Sequence, residues 1–103
     1  MADEFDTLTL EKKREDERAR ATMLLRQEAD DIRWLMNGKR GRRILYVWLA
    51  EAGVWRSVFN TNAMTMAYAE GMRNWGLNLV NRIMGICPNQ WALMIEENVN
   101  AEK

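Results

Sequence analysis

The sequence predicts an all-α fold, a small bundle of about four helices with a long charged N-terminal helix as an arm. Three observations predict it. Apolar residues recur at helical spacing in separate segments. Stop and start residues fall between those segments: Asn37-Gly38, Gly53, Asn60 and Pro88. The chain has 103 residues, the size of one domain, with no internal repeat, low-complexity stretch or dividing linker.

Residues 1–8 carry no clear period and are expected to be flexible. Residues 9–98 are read as one helical domain, and 99–103 as a polar tail. From about Thr9 to Met36 the pattern is helical, without Pro or Gly. Its first part, residues 9–22, is read as a projecting charged arm, whose stretch Glu11 to Arg20 is polar on every side. Pairs such as Glu11–Arg14, Glu15–Arg18 and Asp16–Arg20 support it, each by about 0.2–0.5 kcal/mol. An all-polar helix has no face to bury, so this part is expected to project or to bridge between molecules. Its second part offers Leu25, Ala29, Ile32 and Met36 as one apolar stripe.

Asn37 and Gly38 tolerate a left-handed backbone and end that helix. Arg42 to Ala52 reads as a short buried helix, although its β-branched and aromatic residues would also suit a strand. Helix is preferred, because a lone strand would have no partner. Gly53 ends it, and Val54 to Phe59 is a connecting turn. Asn60 is the expected N-cap of the next helix. In that frame Phe59 and Met64 have the spacing of a hydrophobic staple.

The third helix spans about Thr61 to Ile86. One stripe is Tyr68, Met72, Trp75, Leu79 and Ile83, and a second is Met66, Leu77, Val80 and Met84. Ala63, Ala67 and Gly71 add a face of small residues where another backbone could approach closely. So many packing faces predict a central helix. Gly71 and Gly76 each cost up to about 1 kcal/mol against alanine, so a close neighbour is expected beside each. Pro88 suits the first turn of a last helix, with Trp91, Met94 and Ile95 facing inward.

Composition narrows the function. There are 15 basic and 15 acidic residues, so net charge gives no global attraction to nucleic acid or anionic membrane. Histidine is absent, which removes the commonest acid–base group near neutral pH and the commonest metal ligand. Cys87 is the only cysteine and reads as a small buried hydrophobe. No signal peptide is expected from the acidic start. The longest apolar run, Ile44 to Ala50, is too short to span a bilayer. Glu51, Glu70, Glu96 and Glu97 read as surface charge, with Glu70 able to pair with Arg73 or with an arginine across an interface. No catalytic residue, metal ligand or cofactor is expected.

Two features are left as contact candidates. The basic cluster Lys39, Arg40, Arg42 and Arg43 could be a solvated loop, a contact for an acidic protein or a phosphate site. Nucleic acid is the least favoured of these, because few aromatics interleave with the cluster. The five tryptophans and eight methionines exceed what so small a core buries easily. Trp55, Phe59, Met72 and Trp75 are the expected partner-binding residues, since Met and aromatic side chains are enriched at interfaces.

The middle of the chain also resembles a known family. The residues are Trp48-Leu49, Ala52-Gly53-Val54-Trp55, Asn62-Ala63, Met66-Ala67-Tyr68-Ala69-Glu70-Gly71, Arg73-Asn74 and Gly76-Leu77. They resemble a family of small tailed-bacteriophage virion structural proteins named from a Bordetella podophage. The resemblance covers about residues 42–97 and leaves out the first forty. It implies a non-enzymatic virion component, made in the bacterial cytoplasm and assembled in multiple copies as a homo-oligomer. It does not fix the place in the particle; the preferred reading is binding to other phage structural proteins in the portal, head–tail or internal ejection assembly. The rival reading is a DNA-associated packaging or regulatory module that uses the basic loop.

Overall fold

The computed structural model describes residues 2–101, with side chains from residue 6 onward. The expectations for Met1 and for residues 102 and 103 lie outside the described residues. Four helices follow one another: α1 (Ala2–Asn37), α2 (Lys39–Glu51), α3 (Ala63–Ile86) and α4 (Pro88–Ala101). Among the described residues there is no strand. The segment that also suited a strand is α2. The all-α prediction therefore holds, with four helices as expected.

The chain divides into two compact units, Met1–Asp31 and Ile32–Lys103. The first unit is helical from Ala2, seven residues before the predicted start, because no Gly or Pro interrupts the segment. Every described side chain from Asp6 to Gln27 is exposed. The Thr22 hydroxyl donates to the Arg18 carbonyl one turn back at 3.0 Å, a bond that leaves the helix hydrogen-bonding to itself. Leu25, placed on the apolar stripe by its spacing, is exposed as well. Met23 and Leu24 beside it are exposed too, so this apolar turn as a whole stands open.

The second unit holds the core. Met36, Leu45, Tyr46, Leu49, Ala52, Val54, Val80, Ile83, Cys87 and Met94 are buried together. Ile32, Leu35, Leu77, Leu79, Ile86, Trp91 and Ile95 pack against them, half-buried. The inward face expected of the last helix, Trp91, Met94 and Ile95, is the one observed.

The central helix is α4, not α3 as the sequence suggested. It packs on both α2 and α3. Length explains the difference. At 1.5 Å per residue, the 14 residues of α4 cover about 21 Å, whereas the 24 residues of α3 run about 36 Å. A short helix cannot cover a long one. Ile83, Val80 and Gly76 are buried, while Met64, Tyr68 and Trp75 are exposed. Ala63, Ala67 and Gly71 are exposed too, so nothing among the described residues covers the small-residue face.

The helix ends follow local chemistry. Gly53 adopts φ +84°, the left-handed conformation that costs glycine little. Its N–H donates to the Ala50 carbonyl at 3.0 Å, and the Val54 N–H donates to the Leu49 carbonyl at 3.2 Å. This pair of bonds is a Schellman motif, and its apolar partners Leu49 and Val54 are both buried. At the start of α3 the N-cap is Asn62, two residues after the predicted Asn60. The Asn62 side chain accepts the Thr65 N–H at 3.0 Å. Asn60 instead accepts the N–H of Asn62 itself at 2.8 Å, holding the capping residue in place. The shift also removes the predicted staple, and Phe59 and Met64 are both strongly exposed. Pro88 opens α4 as expected.

Glycines separate into three kinds by their surroundings. A Cβ on Gly76 would stand 2.6 Å from a Val54 methyl and 3.0 Å from the Ala52 Cβ. This is the close neighbour expected there. A Cβ on Gly41 would overlap the Leu35 carbonyl oxygen at 2.0 Å, so α2 can meet the end of α1 only through glycine. A Cβ on Gly71 would meet nothing within 4 Å. Its expected neighbour is absent among the described residues. Accordingly, Gly71→Ala should leave the thermal midpoint unchanged or raise it, by up to about 1 kcal/mol of helix propensity. Gly76→Ala should lower it, by about 1–3 kcal/mol of overpacking, and Gly41→Ala should lower it further. Thermal unfolding by circular dichroism ranks the three; a destabilised Gly71→Ala would contradict the open space seen there.

Candidate protein-interaction face

The basic cluster proves to be two different things. Arg42 is buried, and its guanidinium is fully engaged inside the second unit. Its Nε donates to Glu97 Oε1 at 2.6 Å and its Nη2 to Glu97 Oε2 at 3.2 Å. Its Nη1 donates to the Met36 carbonyl at 2.8 Å. Met36 lies in the last turn of α1, where carbonyls lack intrahelical partners. Arg42 thus supplies that missing donor and pairs α2 with α4 in a bidentate bridge. It cannot serve as the phosphate or partner contact that its neighbours suggested. Glu97, read from sequence as surface charge, is the other half of the same bridge. Lys39, Arg40 and Arg43 are exposed, and of the cluster these three remain open to solvent.

Electrostatics follow the geometry. The hydrogen bond from Arg42 holds the Glu97 carboxyl below the usual glutamate range; partial burial opposes this, and the charges of Arg42 and Lys39 reinforce it. The same bond holds Arg42 above its ordinary value, against the cost of burial. Cys87 is buried, and desolvation pushes its thiol up, with Arg33 opposing. A thiol held protonated in the core is a poor nucleophile. Glu70 is exposed, and among the described residues no ion pair joins it to Arg73. Arg73 is half-buried, and its Nε is buried without a hydrogen-bond partner.

Of the predicted partner contacts, Phe59 and Met72 line one groove. Trp55 stacks on the buried Tyr46 with ring centroids 4.7 Å apart and an interplanar angle of 28°. One ring face is thereby covered, and Trp55 remains exposed at its other side. Phe59, Met72 and Trp75 are exposed. Sequence reasoning missed two members of this surface, Met64 and Tyr68, by assigning Tyr68 to a core stripe and Met64 to a staple. On α3 the residues Met64, Tyr68, Met72 and Trp75 recur at helical spacing and form one exposed apolar ridge. The spacing was legible; the face it points to was not.

A groove of about 300 Å³ runs beside this ridge. Its walls include Arg56, Phe59, Thr65, Tyr68, Ala69 and Met72. Arg56 forms part of the floor and donates through Nη2 to the carbonyls of Ala50 and Glu51 at 3.4 and 3.5 Å, at the end of α2. On another side, Trp34, Leu35, Gly41 and Ile44 line a shallow concavity of about 570 Å³. Exposed apolar patches rimmed by polar groups mark contact surfaces for a protein, a membrane or a ligand. Among the described residues no group of three or more Cys, Asp or Glu side chains is placed to hold a metal ion, and no helix is long and apolar enough to cross a membrane.

A family model described as Bbp19-like phage protein matches residues 32–96. The match begins at the first residue of the second unit and covers its core and the exposed ridge. Neither a curated protein nor a solved structure matches the chain at a significant level.

The Arg42–Glu97 bridge makes a testable demand. A depressed folded-state carboxyl stabilises the fold above the ordinary glutamate value, and that stabilisation is lost as pH falls through the folded value. The wild-type midpoint should therefore begin to fall below about pH 4.3. Glu97→Gln should show a shallower acid limb. Arg42→Met leaves the Met36 carbonyl and a half-buried carboxylate without their donor, and should lower the midpoint at pH 7 by roughly 5 °C or more. Parallel acid limbs for wild type and Glu97→Gln would mean the bridge does not couple pH to stability.

Proposed function

The chain belongs to the Bbp19-like phage protein family, and on that premise we propose that it is a non-enzymatic virion structural or assembly protein. It binds other phage proteins in the portal, head–tail or internal ejection assembly, and it acts in the particle after synthesis in the host cytoplasm. The observation that carries this reading is the exposed apolar ridge. Phe59, Met64, Tyr68 and Trp75 each leave most of their surface to solvent on a domain with few buried apolar residues. Large exposed aromatic and methionine side chains gain free energy only when another surface covers them.

Other features agree with a binding role. The sequence has no histidine, and its one cysteine is buried with its thiol protonated. The DNA-associated rival is weakened by Arg42, whose charge is spent on Glu97 within the fold. What remains for phosphate is Lys39, Arg40 and Arg43, offset by a chain of zero net charge.

Particle composition tests the reading. Mass spectrometry of purified particles and assembly intermediates of the encoding phage should find the protein in multiple copies. Phage lacking the gene should yield defective particles. Absence from both mature particles and intermediates would overturn the proposal. A DNA affinity that weakens steeply with salt and disappears in Arg40→Glu/Arg43→Glu would favour the rival.

A further inference from the structure

We propose that α3 pairs with α3 of a second copy of this chain, antiparallel, across the ridge of Met64, Tyr68, Met72 and Trp75. The inference deepens the reading above, and rests on it only in that the protein works in more than one copy.

The ridge has the chemistry of a self-complementary face. Tyr68 is 72% exposed, Trp75 62% and Met64 84%. None of its members is charged. At 100° per residue, Glu70 and Arg73 fall on the opposite side of the helix, so between Met64 and Trp75 the ridge carries no ionic side chain. Its best match is another uncharged apolar face, and the same face on a second copy is one.

Area supports a dimer. Aromatic side chains present about 150–250 Å² each, so Tyr68 and Trp75, with Met64 and Met72 beside them, expose on the order of 500 Å². A symmetric pair that covered all of it would bury about 1,000 Å² in total, the scale at which specific interfaces begin.

Shape supports one register. A two-fold axis between Gly71 and Met72 sets Tyr68 of one copy against Trp75 of the other, twice. It also sets Met72 against Gly71 of the other copy, a long side chain opposite a position with open space around it. Met64 then faces Leu79 of the other copy, which is half-buried at the edge of the core. Bulky and small positions alternate so that each copy supplies what the other lacks.

The test uses the full chain and its mass by light scattering across a micromolar concentration range. Wild type should give a dimer, twice 12.1 kDa, at the upper concentrations. Trp75→Glu and Tyr68→Lys should each give monomers with unchanged helical circular dichroism, because both side chains are exposed. An equimolar mixture of the two variants should recover the dimer, since the register brings the introduced carboxylate against the introduced ammonium. A monomeric wild type would overturn self-pairing and assign the ridge to a different protein, leaving the particle-composition test untouched. A wild-type mass unchanged by Trp75→Glu would also overturn it. Monomeric variants that fail to recover on mixing would overturn the antiparallel register.

Discussion

The fold of the second unit turns on one buried guanidinium. A charge taken out of water is costly unless its hydrogen-bonding capacity is met. Arg42 meets it with groups from two other helices, the Met36 carbonyl of α1 and the Glu97 carboxylate of α4. The geometry is narrow. α2 must start immediately beside the last turn of α1, and Gly41 makes that possible because any Cβ would overlap the Leu35 carbonyl. Gly41 sets the approach and Arg42 uses it. With those helices fixed, Leu45, Leu49 and Met94 close over one another as core.

A second device places α3. The Schellman motif at Gly53 turns the chain back and buries Val54, whose methyl then fills the space that Gly76 leaves on α3. Beyond Gly76 toward the N-terminus, α3 has outrun the helix that packs on it. The same helix is therefore core at Val80 and Ile83 and open ridge at Tyr68 and Met64. Helix length sets this division, and hydrophobicity does not, since both halves carry large apolar side chains.

These particulars explain what could be read from the sequence. Helix periods, the Gly53 stop and the Pro88 start are local, and so are legible in a short window. The family resemblance expected over residues 42–97 agrees closely with the match over 32–96. The role of Arg42 is not local. Its partner lies 55 residues away, and nothing within Lys39 to Arg43 distinguishes it from its exposed neighbours. The glycines give the same lesson. Gly71 and Gly76 are alike in sequence context, yet one faces a Val54 methyl and the other faces open space. Asn60 and Asn62 have equal capping chemistry, and backbone geometry chose between them. The ridge was visible as a period, but periodicity names a face without saying what covers it.

The separation of fold and surface has a mechanical consequence. The groups that hold the second unit together, Gly41, Arg42, Gly76 and Glu97, are distinct from those of the exposed ridge. An α3 face can then exchange water for another apolar surface without disturbing the bridge or the Val54 contact. The self-pairing proposed above would use this independence, since the chain could then fold before its contacts form. Zero net charge adds to it, since long-range repulsion between copies is weak and short-range apolar contact decides association. The cost is a domain that exposes aromatic surface until it is covered, so the free chain should be prone to associate through that face.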